Sequence, residues 1–338
     1  MTIRHFALAL GLLLCAAAAP AGPAYRLTRS VPLGAPDRWD YVTFDPASGR
    51  AYVAHGDRLT VVDGRSGAIV GEVTGIPGGT HGTAISAVAQ EGLTDDGRAG
   101  QAIAFDLKTL QVTHRIPAAD DADGIALDPA TGHAFVIEGD PGTITVVDPR
   151  GNAAVATIRA GEKMEFPVPG EPGVIYVAGE EKSDLLKIDA RANTVVARWP
   201  APDCASPHGL AFDPARRRLF MSCVNSLMVV MDADTGRVVA KLPIGRGSDA
   251  AAYDPQRRRV FSSNGVDGNV SVYQQTGPDS YQALPPVPTA VSGRTMAVDP
   301  GSGRLFVVAA DTDPSPTPGE RPRPRPGTLR VMFLDPVS

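Results

Sequence analysis

The sequence predicts an all-β protein, a seven-bladed β-propeller with four-stranded blades. One observation is a phrase of short apolar strands, separated by Asp-Pro, Gly or Asp turns, that recurs along the chain. A second is its period of 41 to 45 residues, which is typical of propeller blades. Because a propeller closes on itself, we expect residues 25–338 to form one domain, although a length of 338 residues alone favours two.

The first repeat unit shows all four predicted strands. They lie within residues 40–46, 49–54, 59–63 and 67–70, and each is rich in Val, Ile, Tyr or Thr. Six further units begin at residues 81, 123, 165, 208, 249 and 294. The second unit departs from the pattern, since residues 86–92 lack the Asp-Pro turn.

The two ends of the chain predict how the ring closes. The last unit has strands near Leu305 and over residues 329–334 but ends without a fourth strand. Residues 25–33 form a strand that precedes the first unit and has no blade of its own. Since an open sheet edge invites aggregation, we expect this N-terminal strand to complete the last blade.

The first 24 residues have the pattern of a cleaved secretory signal peptide. A short basic start at Arg4 and His5 is followed by an apolar stretch over residues 6–19. Small residues at 19–21 fit an A-x-A cleavage site, and cleavage after Ala24 fits as well. The sequence therefore predicts a periplasmic or secreted protein.

Lipidation at Cys15 is the weaker alternative, because the preceding Leu14 is not small. After residue 24 no apolar run is long enough to span a bilayer, so we expect no membrane span. The remaining cysteines, Cys204 and Cys223, are predicted to form a disulfide in an oxidising compartment. Two unpaired thiols or a Cys-His metal site are weaker alternatives.

Composition limits the function classes. A hydrophobic content of 43% is enough for a packed core and argues against disorder. The formal net charge of −5 argues against nucleic acid as the main partner, because that affinity comes from Lys and Arg. We expect a monomer.

Several phrases resemble the YVTN-type β-propeller repeat, among them residues 45–54, 146–148 and 173–178. The whole mature chain is similar to the YncE-like exported propellers. This resemblance implies a seven-bladed fold and an exported protein. It implies little about function, since ligands, metals or nucleic acid are the suggested partners of different members.

The first strand of each blade lines a propeller's central channel, so the leading residues of these strands should meet at one mouth. All seven are ionisable: Asp40, His81, Asp123, Glu165, His208, Asp249 and Arg294. We call these seven residues the mouth ring. We predict that the mouth ring binds a small ligand, with Arg294 holding an anionic group; a merely solvated channel lining is the alternative.

The mouth ring repeats the order acid, His, acid twice. Carboxylate and imidazole together suit a divalent transition metal, which is the one cofactor the sequence suggests. Pairing of each first strand with the second places residue n beside n + 15, which brings His55 to Asp40 and Glu138 to Asp123. The same rule brings Glu180 near Glu165 and Asp96 near His81, while Cys223 and Asn264 come beside His208 and Asp249. The predicted metal ligands are therefore His55, His81, Glu138 and His208.

Two other function classes stay open. One is a metal-dependent hydrolase or lactonase at the same ring. The sequence lacks G-x-S-x-G, P-loop and H-E-x-x-H motifs, so no catalytic residue is predicted and an enzyme is the less favoured class. The other is a scaffold that docks a periplasmic protein, or nucleic acid through the arginine turns at residues 216–218 and 257–259.

A proline-rich loop over residues 311–327 interrupts the last unit. It carries Arg321, Arg323 and Arg325, whose charge is opposite to that of the acidic mouth ring. The strand count places this loop on the face of the mouth ring. We expect a lid or a docking arm, with a solvated loop as the alternative.

Overall fold

The computed structural model describes residues 22–314 and 322–337, and it confirms the predicted fold class. The described chain forms seven four-stranded antiparallel sheets. The innermost strands of successive sheets contact one another, and those of the last and first sheets also meet, so the sheets close into a ring. The predicted signal peptide, apart from residues 22–24, lies outside the described residues.

Strand β1 (Tyr25–Pro32) belongs to the seventh and last blade. In each of the first six blades, four consecutive strands follow one another in chain order from the channel outward. The first blade comprises β2 (Val42–Asp45), β3 (Arg50–His55), β4 (Arg58–Asp63) and β5 (Ile69–Val73). The second comprises β6 (Thr83–Ser86), β7 (Glu91–Asp96), β8 (Gln101–Asp106) and β9 (Val112–Pro117), with a short 3₁₀ helix at Gly97–Ala99. The third comprises β10 (Ala122–Leu127), β11 (Ala134–Glu138), β12 (Thr143–Asp148) and β13 (Ala153–Arg159).

The remaining blades keep the same order. The fourth comprises β14 (Met164–Pro169), β15 (Val174–Gly179), β16 (Asp184–Asp189) and β17 (Thr194–Pro200). The fifth comprises β18 (Pro207–Asp213), β19 (Arg218–Cys223), β20 (Leu227–Asp232) and β21 (Val238–Pro243). The sixth comprises β22 (Ser248–Asp254), β23 (Arg259–Asn264), β24 (Asn269–Gln275) and β25 (Tyr281–Pro288). The seventh contains β26 (Thr295–Val298), β27 (Leu305–Ala309) and β30 (Arg330–Pro336), and a small hairpin of β28 (Thr312–Asp313) and β29 (Arg323–Pro324) leaves it.

The N-terminal strand closes the ring as predicted. Strand β1 pairs antiparallel with β30, from Tyr25 opposite Pro336 to Pro32 opposite Arg330. The seventh blade therefore joins the two ends of the described chain. This pairing supplies the fourth strand that the last repeat unit lacks.

Apolar side chains fill the gaps between neighbouring blades. Phe44 of the first blade stacks on Phe306 of the seventh, with ring centroids 5.1 Å apart. Cys204 and Cys223 form the predicted disulfide, and both are fully buried. This bond ties the segment before β18 to β19, which fixes one part of the channel mouth. No helix among the described residues is long and apolar enough to cross a membrane.

A shift in strand pairing at the leading ends of four innermost strands differs from the predicted register. The observed pairs are Ala122 with Glu138, Met164 with Gly179, Pro207 with Cys223 and Ser248 with Asn264. Three of these pairs are separated by 16 residues rather than 15. Met164 and Gly179 keep the separation of 15, but the pair lies one residue before the expected pair of Glu165 and Glu180. In all four blades the register changes just beyond the pair. Because side chains alternate between sheet faces, a displacement of one residue changes which side chains share a face.

Candidate ligand-binding site at the channel mouth

The seven residues of the mouth ring occupy equivalent places in the seven blades. Four are the second residue of their strand: Asp123 in β10, Glu165 in β14, His208 in β18 and Asp249 in β22. The other three, Asp40, His81 and Arg294, come one or two residues before β2, β6 and β26. The repeat thus brings all seven residues to the same end of the channel, as predicted.

Arg294, Asp249 and His208 form a connected chain of polar contacts. The Arg294 guanidinium donates to Asp249 Oδ2 and to the Trp39 carbonyl oxygen at 3.0 Å. The His208 Nδ1 atom donates to Asp249 Oδ1 at 2.6 Å. Burial alone would raise the pKa of Asp249, but the bond from His208 and the charge of Arg294 hold it well below its usual range.

We expected the Arg294 guanidinium to hold an anionic group of a ligand. In the structure it donates instead to the Asp249 carboxylate of the protein itself. It also lies 3.9 Å from Asp40 Oδ2. On the other side, Ser206 Oγ donates to Glu180 Oε1 at 3.1 Å and lies 3.3 Å from His208 Nε2. Burial disfavours the imidazolium of His208, yet the pKa of His208 is raised by its bond to Asp249 and by nearby Glu165.

His81 pairs with a carboxylate that the sequence analysis missed. Its Nδ1 atom donates to Asp95 Oδ2 at 2.6 Å, and Asp95 Oδ1 accepts from the backbone N–H groups of His81 and Gly82. Asp95 is fully buried. Burial opposes protonation of His81, but the bond and the charge of Asp95 raise the pKa of His81 to about 10. Asp96, which we expected near His81, instead caps the short 3₁₀ helix.

Tyr41 crosses the channel beneath the mouth. Its hydroxyl donates to Glu165 Oε1 at 2.8 Å, and its ring lies 4.6 Å from that of Phe166. Since Tyr41 belongs to the first blade and Glu165 to the fourth, the side chain spans non-neighbouring blades. The sequence pattern contained no signal for this contact beyond an aromatic residue next to Asp40.

Asp123 and Glu165 are the least compensated carboxylates of the mouth ring. Burial raises the pKa of Glu165 to about 7, against the lowering effect of nearby His208. Burial, reinforced by Asp40 and Glu165, raises the pKa of Asp123 well above its usual range. Within the described residues, Asp123 Oδ1 is buried and accepts no hydrogen bond. This part of the ring therefore favours protons or another positive group.

A cavity of about 520 Å³ opens above the mouth ring. Five ring residues line it: Asp40, His81, His208, Asp249 and Arg294. Three exposed valines also line it, with Val224, Val266 and Val291 exposed by 43%, 52% and 47%, and Arg38 contributes a charged side chain to the wall. The cavity therefore combines an ionisable floor with exposed valines in its wall.

The described parts of the proline-rich loop reach this cavity. Thr312, Pro322 and Pro324 contribute to its wall, so the loop lies on the mouth face as predicted. The Asp37 carboxylate accepts hydrogen bonds from the backbone N–H groups of residues 327–329 and anchors the base of the loop. Residues 315–321, and Arg321 with them, lie outside the described residues.

Two of the predicted metal ligands lie away from the mouth ring. His55 is fully buried, with Nδ1 at 2.8 Å from Thr60 Oγ1 and Nε2 at 2.7 Å from the Pro36 carbonyl oxygen. Glu138 is also buried and accepts from Ala119 N at 3.0 Å and from the Thr143 hydroxyl. Both side chains satisfy groups within the fold, and the structure does not bring them to His81 and His208.

A different group has the spacing of metal ligands. This group consists of Glu165, His208 and Asp249. Each residue offers one potential ligand atom, and these three atoms all lie within 4.8 Å of one another. Carboxylate oxygen and imidazole nitrogen suit zinc and related ions. Asp249 in this group also receives the Arg294 guanidinium, whose positive charge opposes a metal ion at the same carboxylate.

The arginine turns lie on the opposite face of the propeller and are engaged with carboxylates. Arg217 contacts Glu171 Oε1 at 3.0 Å and Asp234 Oδ1 at 2.6 Å. Arg257 contacts Asp254 Oδ2 at 3.1 Å. These pairs neutralise much of the positive charge that an anionic partner would need.

The comparisons with known proteins bear on the fold. No family model matches this chain, and no curated protein matches it. A solved structure of RRP9 WD40 repeats is 13% identical, with a TM-score of 0.76, and the match covers 94% of this chain and 99% of that one. A chain of a Mitotic Checkpoint Complex is also 13% identical, with a TM-score of 0.76 and 100% of both chains covered.

A third similar structure comes from Kuenenia stuttgartiensis Hydrazine Synthase. It is 14% identical, with a TM-score of 0.69, and the match covers 88% of this chain and 96% of that one. Similarity at such identities shows shared architecture only. The chain is thus a seven-bladed β-propeller, similar in fold to WD40 propellers.

Proposed function

We propose that this protein is an exported propeller that binds a small organic ligand in the cavity at the channel mouth. The observation that carries the proposal is the cavity of about 520 Å³, floored by ring residues and walled by exposed valines. Ligand cavities typically have this size and combine an apolar wall with a few convergent polar groups.

The polar groups of the floor are held in place before any ligand arrives. Asp95 fixes His81, Asp249 fixes His208, and the Trp39 carbonyl oxygen helps to fix Arg294. A site with fixed side chains loses little conformational entropy when it binds. This preorganisation supports binding over a merely solvated channel lining.

The test is a screen of small molecules by thermal shift, followed by calorimetric titration of each hit. Val266→Trp places a large side chain at the cavity rim, whereas Val196→Trp makes the same change on β17, away from the mouth. Val266 is 52% exposed and Val196 is 54% exposed, so the two variants are matched in burial. We expect hits that bind the wild type and Val196→Trp but not Val266→Trp. Binding that survives Val266→Trp, or the absence of any ligand, contradicts the proposal.

A divalent metal at Glu165, His208 and Asp249 is the second candidate, and the spacing of their ligand atoms favours it. The alternative function, a metal-dependent hydrolase, also requires a metal ion at this place. Elemental analysis after dialysis against zinc tests it, with His208→Ala as the variant and the exposed His114→Ala as the matched control. One equivalent retained by the wild type and His114→Ala, but not by His208→Ala, supports a metal site; equal content in all three contradicts it.

A protein-docking role is the alternative that two of the similar structures favour, since one is a chain of a Mitotic Checkpoint Complex and the other consists of WD40 repeats. The exposed valines at the rim would then contact a partner protein.

Export itself rests on the signal-peptide pattern, and a disulfide suits an oxidising compartment. N-terminal sequencing of the protein from a periplasmic fraction tests it, with a start between residues 20 and 25 expected and a start at Met1 contradicting it.

A further inference from the structure

The mouth has more carboxylates than groups that can carry positive charge. Its cationic groups are His81, His208 and Arg294, together with Arg38 in the cavity wall and Lys163, which lies 3.2 Å from Glu180 Oε2. The carboxylates at or directly beside the mouth ring are Asp40, Asp95, Asp123, Glu165, Glu180 and Asp249. Such an excess of like charge in a partly buried site is costly unless a positive group joins it.

The cationic groups of the ring are directed mainly at Asp95 and Asp249. His81 bonds to Asp95, and both His208 and Arg294 bond to Asp249. Asp123 and Glu165 form no ion pair within the described residues. Glu165 accepts a hydrogen bond from the neutral hydroxyl of Tyr41, and Asp123 Oδ1 accepts none. The structure thus leaves two neighbouring carboxylates for a positive group from outside.

Asp123 and Glu165 do not line the cavity themselves, but Glu165 lies next to residues that do, and Asp123 interacts with Glu165. A Glu165 oxygen lies within 4.8 Å of ligand atoms of His208 and Asp249, and both of those residues line the cavity. A positive group at the floor of the cavity would therefore be close to Glu165. Tyr41 crosses the channel at this level, so the ligand would stop there rather than pass through.

The rim determines what the rest of the ligand looks like. Val224, Val266 and Val291 are exposed side chains, and Pro322 and Pro324 line the same cavity. Removing such apolar surface from water favours binding of a ligand with an apolar body. A bare metal ion or a small inorganic cation would leave this wall in contact with water.

We propose that the ligand is an amphiphilic organic cation, an alkyl- or arylammonium compound, whose ammonium group is held by Asp123 and Glu165 and whose apolar body lies against the valine and proline rim. This inference rests on the proposed function and specifies its ligand class. It predicts a preference for positive charge that neither a neutral nor an anionic ligand of the same shape would satisfy.

The test compares three probes with the same alkyl chain: hexylammonium, 1-hexanol and hexanoate. Calorimetric titration of the wild type at pH 7.5 should show hexylammonium binding at least about tenfold more tightly than hexanol, because an ammonium–carboxylate contact is a charge-assisted one. Hexanoate should bind most weakly, since the carboxylates repel it. Equal binding of the three probes, or a preference for hexanoate, overturns this inference and leaves the proposed function intact.

Asp123→Asn keeps the shape of the side chain and removes its charge. It should weaken hexylammonium binding by about tenfold and leave hexanol binding unchanged. The matched control is Asp120→Asn, a change at an exposed aspartate three residues away. Should Asp123→Asn fold poorly, Glu165→Gln makes the same comparison, because its amide oxygen can still accept the Tyr41 hydrogen bond.

The Val266→Trp variant separates the two failures. If all three probes bind and Val266→Trp blocks them equally, the cavity is the binding site. The relative affinities of the wild type for hexylammonium, hexanol and hexanoate then decide whether the ligand is a cation. If the broader screen finds only neutral or anionic ligands, the cation inference is wrong and the proposed function stands. If neither the probes nor the screen give any binding, both are wrong.

Discussion

Two glutamates at opposite ends of strand β14 experience opposite electrostatic surroundings. Glu165 lies at the channel mouth, where burial raises its pKa to about 7. Glu171 lies in the turn after the same strand, where it accepts hydrogen bonds from Arg217 at 3.0 Å and from Lys187 at 3.1 Å. Despite some burial, these contacts lower the pKa of Glu171 to about 2. The pKa of a glutamate is thus raised at the mouth and lowered on the opposite face of the same blade.

The difference reflects how each set of carboxylates is assembled. On the face opposite the mouth, turn aspartates such as Asp128 and Asp213 accept hydrogen bonds from backbone N–H groups two or three residues later in the chain. At the mouth, the carboxylates meet because seven separate blades converge, and within the described residues Asp123 and Glu165 form no ion pair. We infer that the turn face contributes mainly to stability, whereas the uncompensated carboxylates of the mouth reduce it, as expected if the mouth is the proposed binding site.

The largest predicted effect comes from the covalent link beside the mouth. Replacing Cys204 and Cys223 together by serine removes a bond that closes a loop with a sequence separation of 19. The free energy of unfolding should fall by about 3 kcal/mol, because the unfolded chain is no longer constrained. Urea titration of the double variant measures the loss.

The reduced wild type is the control for this variant. It should unfold at the same urea concentration as the double variant, since both lack the link. An unchanged midpoint in both proteins would mean that the segment before β18 is held by its other contacts, among them the Ser206 bond to Glu180.

A smaller effect is expected on the turn face from Glu171→Gln. The folded-state pKa of Glu171 is about 2, below the usual 4.5, so its ionisation stabilises the fold above pH 4.5. That contribution is lost as the pH falls from 4.5 towards 2. At pH 7 the variant should lose about 1–2 kcal/mol, a value reduced for solvent screening at a partly exposed site.

Denaturant titrations of the wild type and Glu171→Gln at pH 3 and pH 7 check this prediction. The two proteins should differ clearly at pH 7 and approach each other at pH 3. A constant difference across this range would show that Glu171 acts through packing or neutral hydrogen bonds rather than through its charge.

The repeat made the fold and the membership of the mouth ring predictable. Each of the seven ring residues has a fixed place in a unit of 41 to 45 residues, so one alignment of the units located them all. The partners of these residues were harder to predict. Tyr41 reaches Glu165 only because the ring closes, and this contact joins residues 124 positions apart.

The side chains of Glu138 and His55 lie elsewhere than the strand spacing predicts, and the cause is local. The pairing of β10 with β11 shifts after Ala122, and Glu138 therefore lies opposite Ala122 rather than Asp123. His55 lies on the strand expected, but its ring turns to Thr60 and Pro36. Strand spacing predicts which backbones are neighbours, whereas bulges and loop contacts decide where the side chains point.

The smallest predicted effect has the opposite sign to that of Glu171→Gln. Asp123→Asn removes a buried carboxylate that faces Asp40, Glu165 and Asp95, with His81 as the nearby cation. The variant should unfold with a free energy about 1 kcal/mol higher than the wild type at pH 8, because an uncompensated buried charge is costly.

The folded-state pKa of Asp123 is raised, so the folded protein binds a proton there more tightly than the unfolded chain does. The contribution of Asp123 to stability is therefore present at low pH and lost as the pH rises. The advantage of Asp123→Asn should shrink at pH 5, which urea titrations at pH 5 and pH 8 measure, with Asp120→Asn as the control. A loss of stability at pH 8 would show that the Asp123 carboxylate is compensated, and the mouth would then resemble the turn face.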